Sequence, residues 1–201
     1  LPNCLDFKVW GQPVLQRDKR LTIGLTGGSN HYEDWQLVAP ALRRICAEHP
    51  ETVVALAGFH PDYLERSIPP AQLILLPWAP YARLPLVVGA FDIGLAPLCD
   101  TAFNRAKSPV KALEYMARGI PWVASAVGPY LTMPAENAGL LAATPDEFYT
   151  QLKCLVLDAG KRQALGEYGS QWVRAHHDIC ANAASWRQVY QAVWRASCLT
   201  A

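Results

Sequence analysis

The chain has 201 residues, of which 51% are hydrophobic and only 17% are charged. That balance gives a folded domain with a sizeable core and excludes disorder, which needs low hydrophobicity and high net charge. Eighteen basic residues against 17 acidic ones leave a net charge of +1, so nothing draws the whole molecule to nucleic acid or to an acidic membrane surface.

In chain order, strand and helix signals alternate. Leu21-Thr22-Ile23-Gly24-Leu25 is a short apolar run that ends in Gly27-Gly28. A helical stripe follows from about Tyr32 to Glu48, with Trp35, Val38, Leu42, Ile45 and Cys46 on one face. Thr52 to Ala57 reads as a strand covered on both faces, and Leu73–Leu76 and Phe91–Ala96 as two more. Pro69, Pro70, Pro77, Pro80 and Pro85 mark the loops between them. A helix is expected from Pro109 to about Arg118, stopped by Gly119. Trp122–Ser125 and Gly139–Ala142 are the fifth and sixth strands. From Pro145 to Ser197 the pattern is helical, with breaks near Asp158-Ala159-Gly160 and His177-Asp178. Short apolar strands alternating with helices imply βαβ units and an α/β fold: a Rossmann-like doubly wound parallel sheet of about six strands with C-terminal helices.

No apolar run approaches about 18 residues, so no membrane span is expected. The opening LPNCLDFKVW lacks a basic start and an apolar run, so no signal peptide is expected. The cysteines, Cys4, Cys46, Cys99, Cys154, Cys180 and Cys198, lie far apart with no CxxC pair, which fits reduced thiols in a cytoplasmic protein. No carboxylate or His/Cys set at metal spacing stands out, and no metal or other cofactor is expected.

Ligands of open α/β sheets bind outside the carboxyl ends of the strands, so the loops there matter most. One is Phe103-Asn104-Arg105-Ala106-Lys107-Ser108-Pro109-Val110-Lys111-Ala112-Leu113-Glu114. Pro109 suits the first helical position and Ser108 the cap before it. Arg105, Lys107 and Lys111 would then crowd the positive end of a helix dipole, where acids are preferred. A bound anion reverses that penalty: free backbone N–H groups and two or three cations suit a pyrophosphate. Glu114, three residues after Lys111, could accept from vicinal hydroxyls of a sugar. The alternative is that these charges are merely solvated, with Glu114 paired to Lys111 or to Arg118.

The other loop is Thr26-Gly27-Gly28-Ser29-Asn30-His31. Its glycines permit close backbone approach to a ligand, and His31 could hydrogen-bond a phosphate, although a lone loop histidine is more often exposed. Asn30 and Glu33 read as a capping box for the next helix, and Glu33 and Asp34 as complements to its dipole. Asp92 is expected to bond neighbouring backbone, and Trp172, Trp186 and Trp194 to pack the C-terminal helices.

The stretch Lys107-Ser108-Pro109-Val110-Lys111-Ala112-Leu113-Glu114-Tyr115-Met116-Ala117-Arg118-Gly119-Ile120-Pro121-Trp122-Val123-Ala124-Ser125 resembles the donor-binding signature of glycosyltransferase family 4, the group 1 GT-B enzymes. Leu1-Pro2-Asn3-Cys4-Leu5-Asp6 is similar to the segment at the junction of the two GT-B domains. The resemblance implies a single nucleotide-sugar-binding domain, the C-terminal half of such an enzyme. Residues 1–20 would be the inter-domain junction. Residues 180–201 would be a helix crossing back to an N-terminal acceptor domain outside this chain, with a second copy of the chain as the other cover for its apolar face.

The donor-binding set it implies is Gly27, Gly28, Ser29, His31, Arg105, Lys107, Ser108, Lys111 and Glu114. Glu114 matches the second acid of the family's E-x7-E motif, which contacts the ribose. The first acid, which touches the donor sugar, is replaced by Ala106. The implied activity is retaining, metal-independent transfer of a sugar from an NDP-sugar to an acceptor. A degenerate nucleotide- or partner-binding module, an NDP-sugar epimerase and a dinucleotide-dependent oxidoreductase are the rivals. The oxidoreductase should carry GxGxxG and an acid after the second strand, and Gly58-Phe59-His60 offers neither.

Overall fold

A computed structural model of the chain describes residues 1–12 and 20–198. Residues 13–19 of the expected junction segment and 199–201 of the expected crossover helix lie outside the described residues.

Among the described residues, six strands form one parallel sheet: β1 (Thr22–Gly27), β2 (Val53–Gly58), β3 (Leu73–Leu76), β4 (Ile93–Ala96), β5 (Trp122–Ser125) and β6 (Gly139–Ala142). Their order is β3-β2-β1-β4-β5-β6. The chain runs outward from β1 to β3, returns to lay β4 beside β1, and then runs the other way. The β1–β4 pair is therefore the topological switch point, where open α/β sheets form their ligand crevice.

Among the described residues, ten α-helices accompany the sheet. In chain order they are α1 (Phe7–Trp10), α2 (Tyr32–Gln36), α3 (Ala39–Glu48), α4 (Asp62–Ser67), α5 (Leu84–Gly89), α6 (Ala102–Arg105), α7 (Val110–Ala117), α8 (Pro145–Leu157), α9 (Ala159–His177) and α10 (Ile179–Cys198). The period-2 alternation of the strands sorts two different cores. On one face Ile23, Leu25, Val54, Leu56, Ile93, Leu95 and Val123 meet α3 and α8. On the other face a row of mostly small residues crosses the sheet, with Ala55 paired to Gly24, Gly24 to Gly94, Gly94 to Trp122 and Trp122 to Gly139.

The small residues make room for rings. A Cβ on Gly24 would lie 2.0 Å from the Phe91 ring, and one on Gly94 2.4 Å from Tyr115. Phe91 and Tyr115 are fully buried. Overpacking a tight core costs about 1–3 kcal/mol, and a ring held on both sides cannot move aside cheaply. Gly24→Ala is expected to destabilise the fold by about 3 kcal/mol, read as a lower urea midpoint at unchanged slope. An unchanged midpoint would show that Phe91 has another place to go.

Three expectations need correction. The single helix over about 32–48 is two: Pro40, in the first turn of α3, has no N–H to donate to Gln36, so the chain breaks at Leu37 and Val38. The fourth strand begins at Ile93 rather than Phe91, where the Asp92 carboxylate takes up the Thr22 amide of the adjacent strand at 2.8 Å, a bond to neighbouring backbone as anticipated for that residue. Trp194 does not pack: it is 69% exposed. It continues a stripe of Val189, Tyr190 and Val193, all exposed along α10 at helical spacing. The breaks before α9 and α10 fall where Asp158 and Asp178 were expected to place them, and Asp158 caps α9 through the Lys161 amide at 2.8 Å.

Candidate functional site

The loops after β1 and β4 meet over the switch point, joined by one carboxylate. Asp34, in the first turn of α2, is 3% exposed. Its Oδ1 accepts from the Cys99 amide and from Asn104 Nδ2, both at 2.8 Å. Its Oδ2 accepts from His31 Nδ1 at 2.9 Å and pairs with Lys107 Nζ at 3.5 Å. Burial alone would raise this carboxyl. The donors from His31, Cys99 and Lys107 outweigh burial and hold it at about 2.

His31 is 8% exposed, not the exposed loop histidine of the alternative reading, and stacks on Trp35 with ring planes 12° apart. Burial lowers its pKa, and Lys111 and Lys107 lower it further against the pull of Asp34. Gly27 is needed here: a Cβ on it would lie 2.8 Å from His31 Cδ2 and 3.4 Å from Lys111 Nζ. Lys111 Nζ reaches across the switch point to donate to the Thr26 carbonyl. Burial pushes that ammonium below its usual range, and Glu114 partly restores it.

Glu114 is 8% exposed and, among the described residues, accepts no hydrogen bond. Burial raises its carboxyl to about 7, with Lys111 opposing the shift. Neither of the pairings considered for it forms as a salt bridge among the described residues, since Lys111 turns to Thr26 and Arg118 donates to the Trp10 and Gln12 carbonyls.

Two adjoining cavities share Val110 and Lys111. One, of about 150 Å³, sets His31, Lys107, Ser108 and Lys111 against Leu98 and Tyr130. The other, of about 160 Å³, is mostly apolar, with Gly27, Gly58, Trp78 and Val87 around Lys111 and Glu114. Trp78 is 71% exposed, and its ring stands over Gly58, where φ is +95° and a Cβ would lie 2.9 Å from the indole. The pair thus offers a cationic half for an anion and an apolar half with a free ring face for a flat group and a buried carboxyl in its wall, with Lys111 common to both.

Of the anticipated residues, the structure brings together Gly27, His31, Lys107, Ser108, Lys111 and Glu114. Gly28 caps the short turn Ser29–His31 from the backbone alone. Ser29 is exposed and faces a neighbouring groove with Tyr32 and Phe103. Arg105 is drawn away, exposed and bound to both oxygens of Asp100 at 2.6 and 2.8 Å. Two caps are corrected. Asn30 makes no capping box, since the turn at Ser29–His31 leaves His31 as the N-cap of α2 with no side-chain bond. Ser108 does not cap α7: Pro109, with φ −80° and ψ 28°, takes that place, and the first amides of α7 carry no side-chain cap.

Sequence reading missed Asp34, Trp78 and Tyr130. Trp78 had a signal: an aromatic between two prolines at the carboxyl end of β3.

The family model for Glycosyl transferases group 1 matches residues 20–158, well over half of the chain. No curated protein matches the sequence. Among solved structures, sucrose-phosphate synthase from Thermosynechococcus elongatus superposes with a TM-score of 0.75 at 18% identity, over 97% of this chain and 52% of that one. Anabaena HepE, solved in complex with UDP, gives 0.71 at 14%, over 86% of this chain and 49% of that one. The C-terminal domain of a Francisella tularensis group 1 family protein, LpcC, gives 0.68 at 19%, over 87% of this chain and 99% of that one. The chain spans about half the length of the first two and nearly all of the isolated domain. At these identities the structures establish the fold, that of one half of a GT-B enzyme, and the sequence model establishes the kinship: this chain belongs to the group 1 glycosyltransferases.

Proposed function

We propose that this chain is the donor domain of a retaining glycosyltransferase, binding an NDP-sugar while a domain outside the chain holds the acceptor. The observation that carries the reading is the paired cavity: Lys107 and Lys111 beside the uncapped start of α7, joined through Lys111 to an apolar slot under Trp78 that also holds buried Glu114. The diphosphate would lie in the cationic half, the ribose hydroxyls would donate to Glu114, and the base would lie against Trp78. HepE, with its bound UDP, supports the nucleotide class. Retention is what the family resemblance implies.

The chemical task of the domain is to stabilise charge on the departing diphosphate. Fixed ammonium groups and helix amides do that without reorganising as the bond breaks. We infer that they do so without a metal ion. The five described thiols, Cys4, Cys46, Cys99, Cys154 and Cys180, are free, which supports a cytoplasmic setting. No helix among the described residues is long and apolar enough to cross a membrane. The exposed stripe on α10 supports docking against the absent N-terminal domain, with a homodimer as the other cover.

Calorimetric titration with UDP, GDP and ADP, with and without Mg²⁺, tests the reading. One nucleotide is expected to bind, indifferent to Mg²⁺, and Trp78→Ala is expected to weaken it by roughly 10-fold or more, the usual worth of a base–aromatic stack. Failure of all three to bind both this chain and the longer protein overturns it. One observation favours a second reading: Ala106, exposed at the end of α6, stands where the family's sugar-contacting acid would be. A nucleotide-binding module that transfers nothing fits that loss, and turnover by the longer protein excludes it.

A further inference from the structure

We propose that Asp34 is a positioning residue that makes diphosphate binding proton-coupled: His31 is neutral in the free site and takes one proton from solvent onto Nε2 when the diphosphate arrives. The inference rests on the donor-site reading above.

The geometry fixes the tautomer. Asp34 Oδ2 lies 2.9 Å from His31 Nδ1, and an ionised carboxylate accepts only. A neutral His31 must therefore carry its proton on Nδ1 and present a bare lone pair at Nε2. No hydrogen bond among the described residues reaches Nε2, and the ring lines the same cavity as Lys107, Ser108, Lys111 and Tyr130. A lone pair facing a diphosphate oxygen repels it, whereas an imidazolium between Asp34 and the diphosphate donates at both ends.

The charged groups around the ring pull in opposite directions. On α2, Asp34 favours the imidazolium. From the loop before α7, Lys107 opposes it, and so does Lys111 from the first turn of α7, while Glu114 lies one turn further on beside Lys111. With the cavity free, burial and the two ammonium groups keep the ring neutral. A diphosphate neutralises both ammonium groups and brings negative charge of its own, so the balance reverses. No bond between heavy atoms forms or breaks: the proton enters from water and returns to it when the nucleotide leaves.

Asp34→Asn separates this role from a merely structural one. The Cys99 amide and Asn104 Nδ2 both donate to the Oδ1 position, so the new carbonyl stays there and the new NH₂ replaces Oδ2. That NH₂ donates to Nδ1 and moves the neutral proton to Nε2. His31 can then donate to phosphate without protonation, and no anion remains to favour the imidazolium. The experiment is calorimetric titration of the full chain with UDP, and with inorganic pyrophosphate as a base-free probe, in buffers of different ionisation enthalpy near pH 7. Comparing proteins at one ligand cancels the ligand's own ionisation.

Wild type is expected to take up close to one proton more per ligand than either Asp34→Asn or His31→Gln. Its affinity should rise towards tenfold for each unit the pH falls over the linked range, and the two variants should lack that added slope. The ¹⁵N spectrum of the free proteins should show His31 as the Nδ1–H tautomer in wild type and the Nε2–H tautomer in Asp34→Asn. Equal proton uptake in all three proteins overturns this inference and leaves the donor-site reading standing. No binding of pyrophosphate or of any of the three nucleotides, by this chain or by the longer protein, overturns both.

Discussion

Lys111→Met is expected to weaken nucleoside-diphosphate binding by about 10- to 100-fold, the worth of a hydrogen bond to a charged group. Lys111 stands at the junction of everything the site uses. Its stem lines both cavities, and its ammonium bonds the Thr26 carbonyl at the end of β1 while keeping two further donors for a ligand. Methionine keeps the apolar stem and removes only the charge and the donors, so packing between α7 and β1 survives. Calorimetry with the nucleotide that binds wild type reads the loss, and the urea midpoint checks the fold. Unchanged affinity would show that the ammonium serves the β1 carbonyl alone and that the anion lies elsewhere.

Glu114→Gln is expected to make the protein more stable in mild alkali while leaving its stability unchanged in acid. The carboxyl titrates near 4.5 when unfolded and at about 7 when folded, raised by burial against the pull of Lys111. A raised carboxyl means that the native state holds the proton longer. Stability from this group is therefore full below about pH 4.5, declines as pH rises and is lost by about pH 7. A shift of that size is worth about 3 kcal/mol. Glutamine fills the same space without the charge. Urea denaturation of both proteins between pH 4 and 8 should give curves that coincide at the acid end and separate by up to about 3 kcal/mol at the other. Parallel curves would show that Glu114 is solvated or paired in the native state. The opposition is informative: a group that destabilises the empty protein at neutral pH is kept where a ligand's hydroxyls can satisfy it.

What could be read in advance followed the range of the interaction behind it. Six strands and two helix breaks were legible because alternation and punctuation act over a few residues. Asp158 and Thr144 cap α9 and α8 as local chemistry dictates. The caps at Asn30 and Ser108 failed although local chemistry favours them, since the turn at Ser29–His31 and the backbone angles of Pro109 place the helix starts one residue later. Lys107, Lys111 and Glu114 were legible as a cluster from their spacing on one helix start. Asp34 was not. Locally it is one more acid in the first turn of a helix, and its role depends on Cys99, Asn104 and Lys107, which lie 65, 70 and 73 residues further along the chain. Arg105 failed in the opposite sense: its spacing suggested an anion, but Asp100 five residues before it holds its Nε–Nη2 edge with both carboxylate oxygens.

The fourfold engagement of Asp34 also bears on what binding costs in entropy. Two loops from different halves of the sheet are tied at one point inside the protein by its own side chains. Fixing the backbone of a loose residue costs about 1–2 kcal/mol, and a site made of free loops would draw that cost from its affinity for the nucleotide. Here folding has already met it. On the donor-site reading, a nucleotide entering this crevice would order little besides itself, so the encounter would resemble docking into a mould rather than the closing of a clasp.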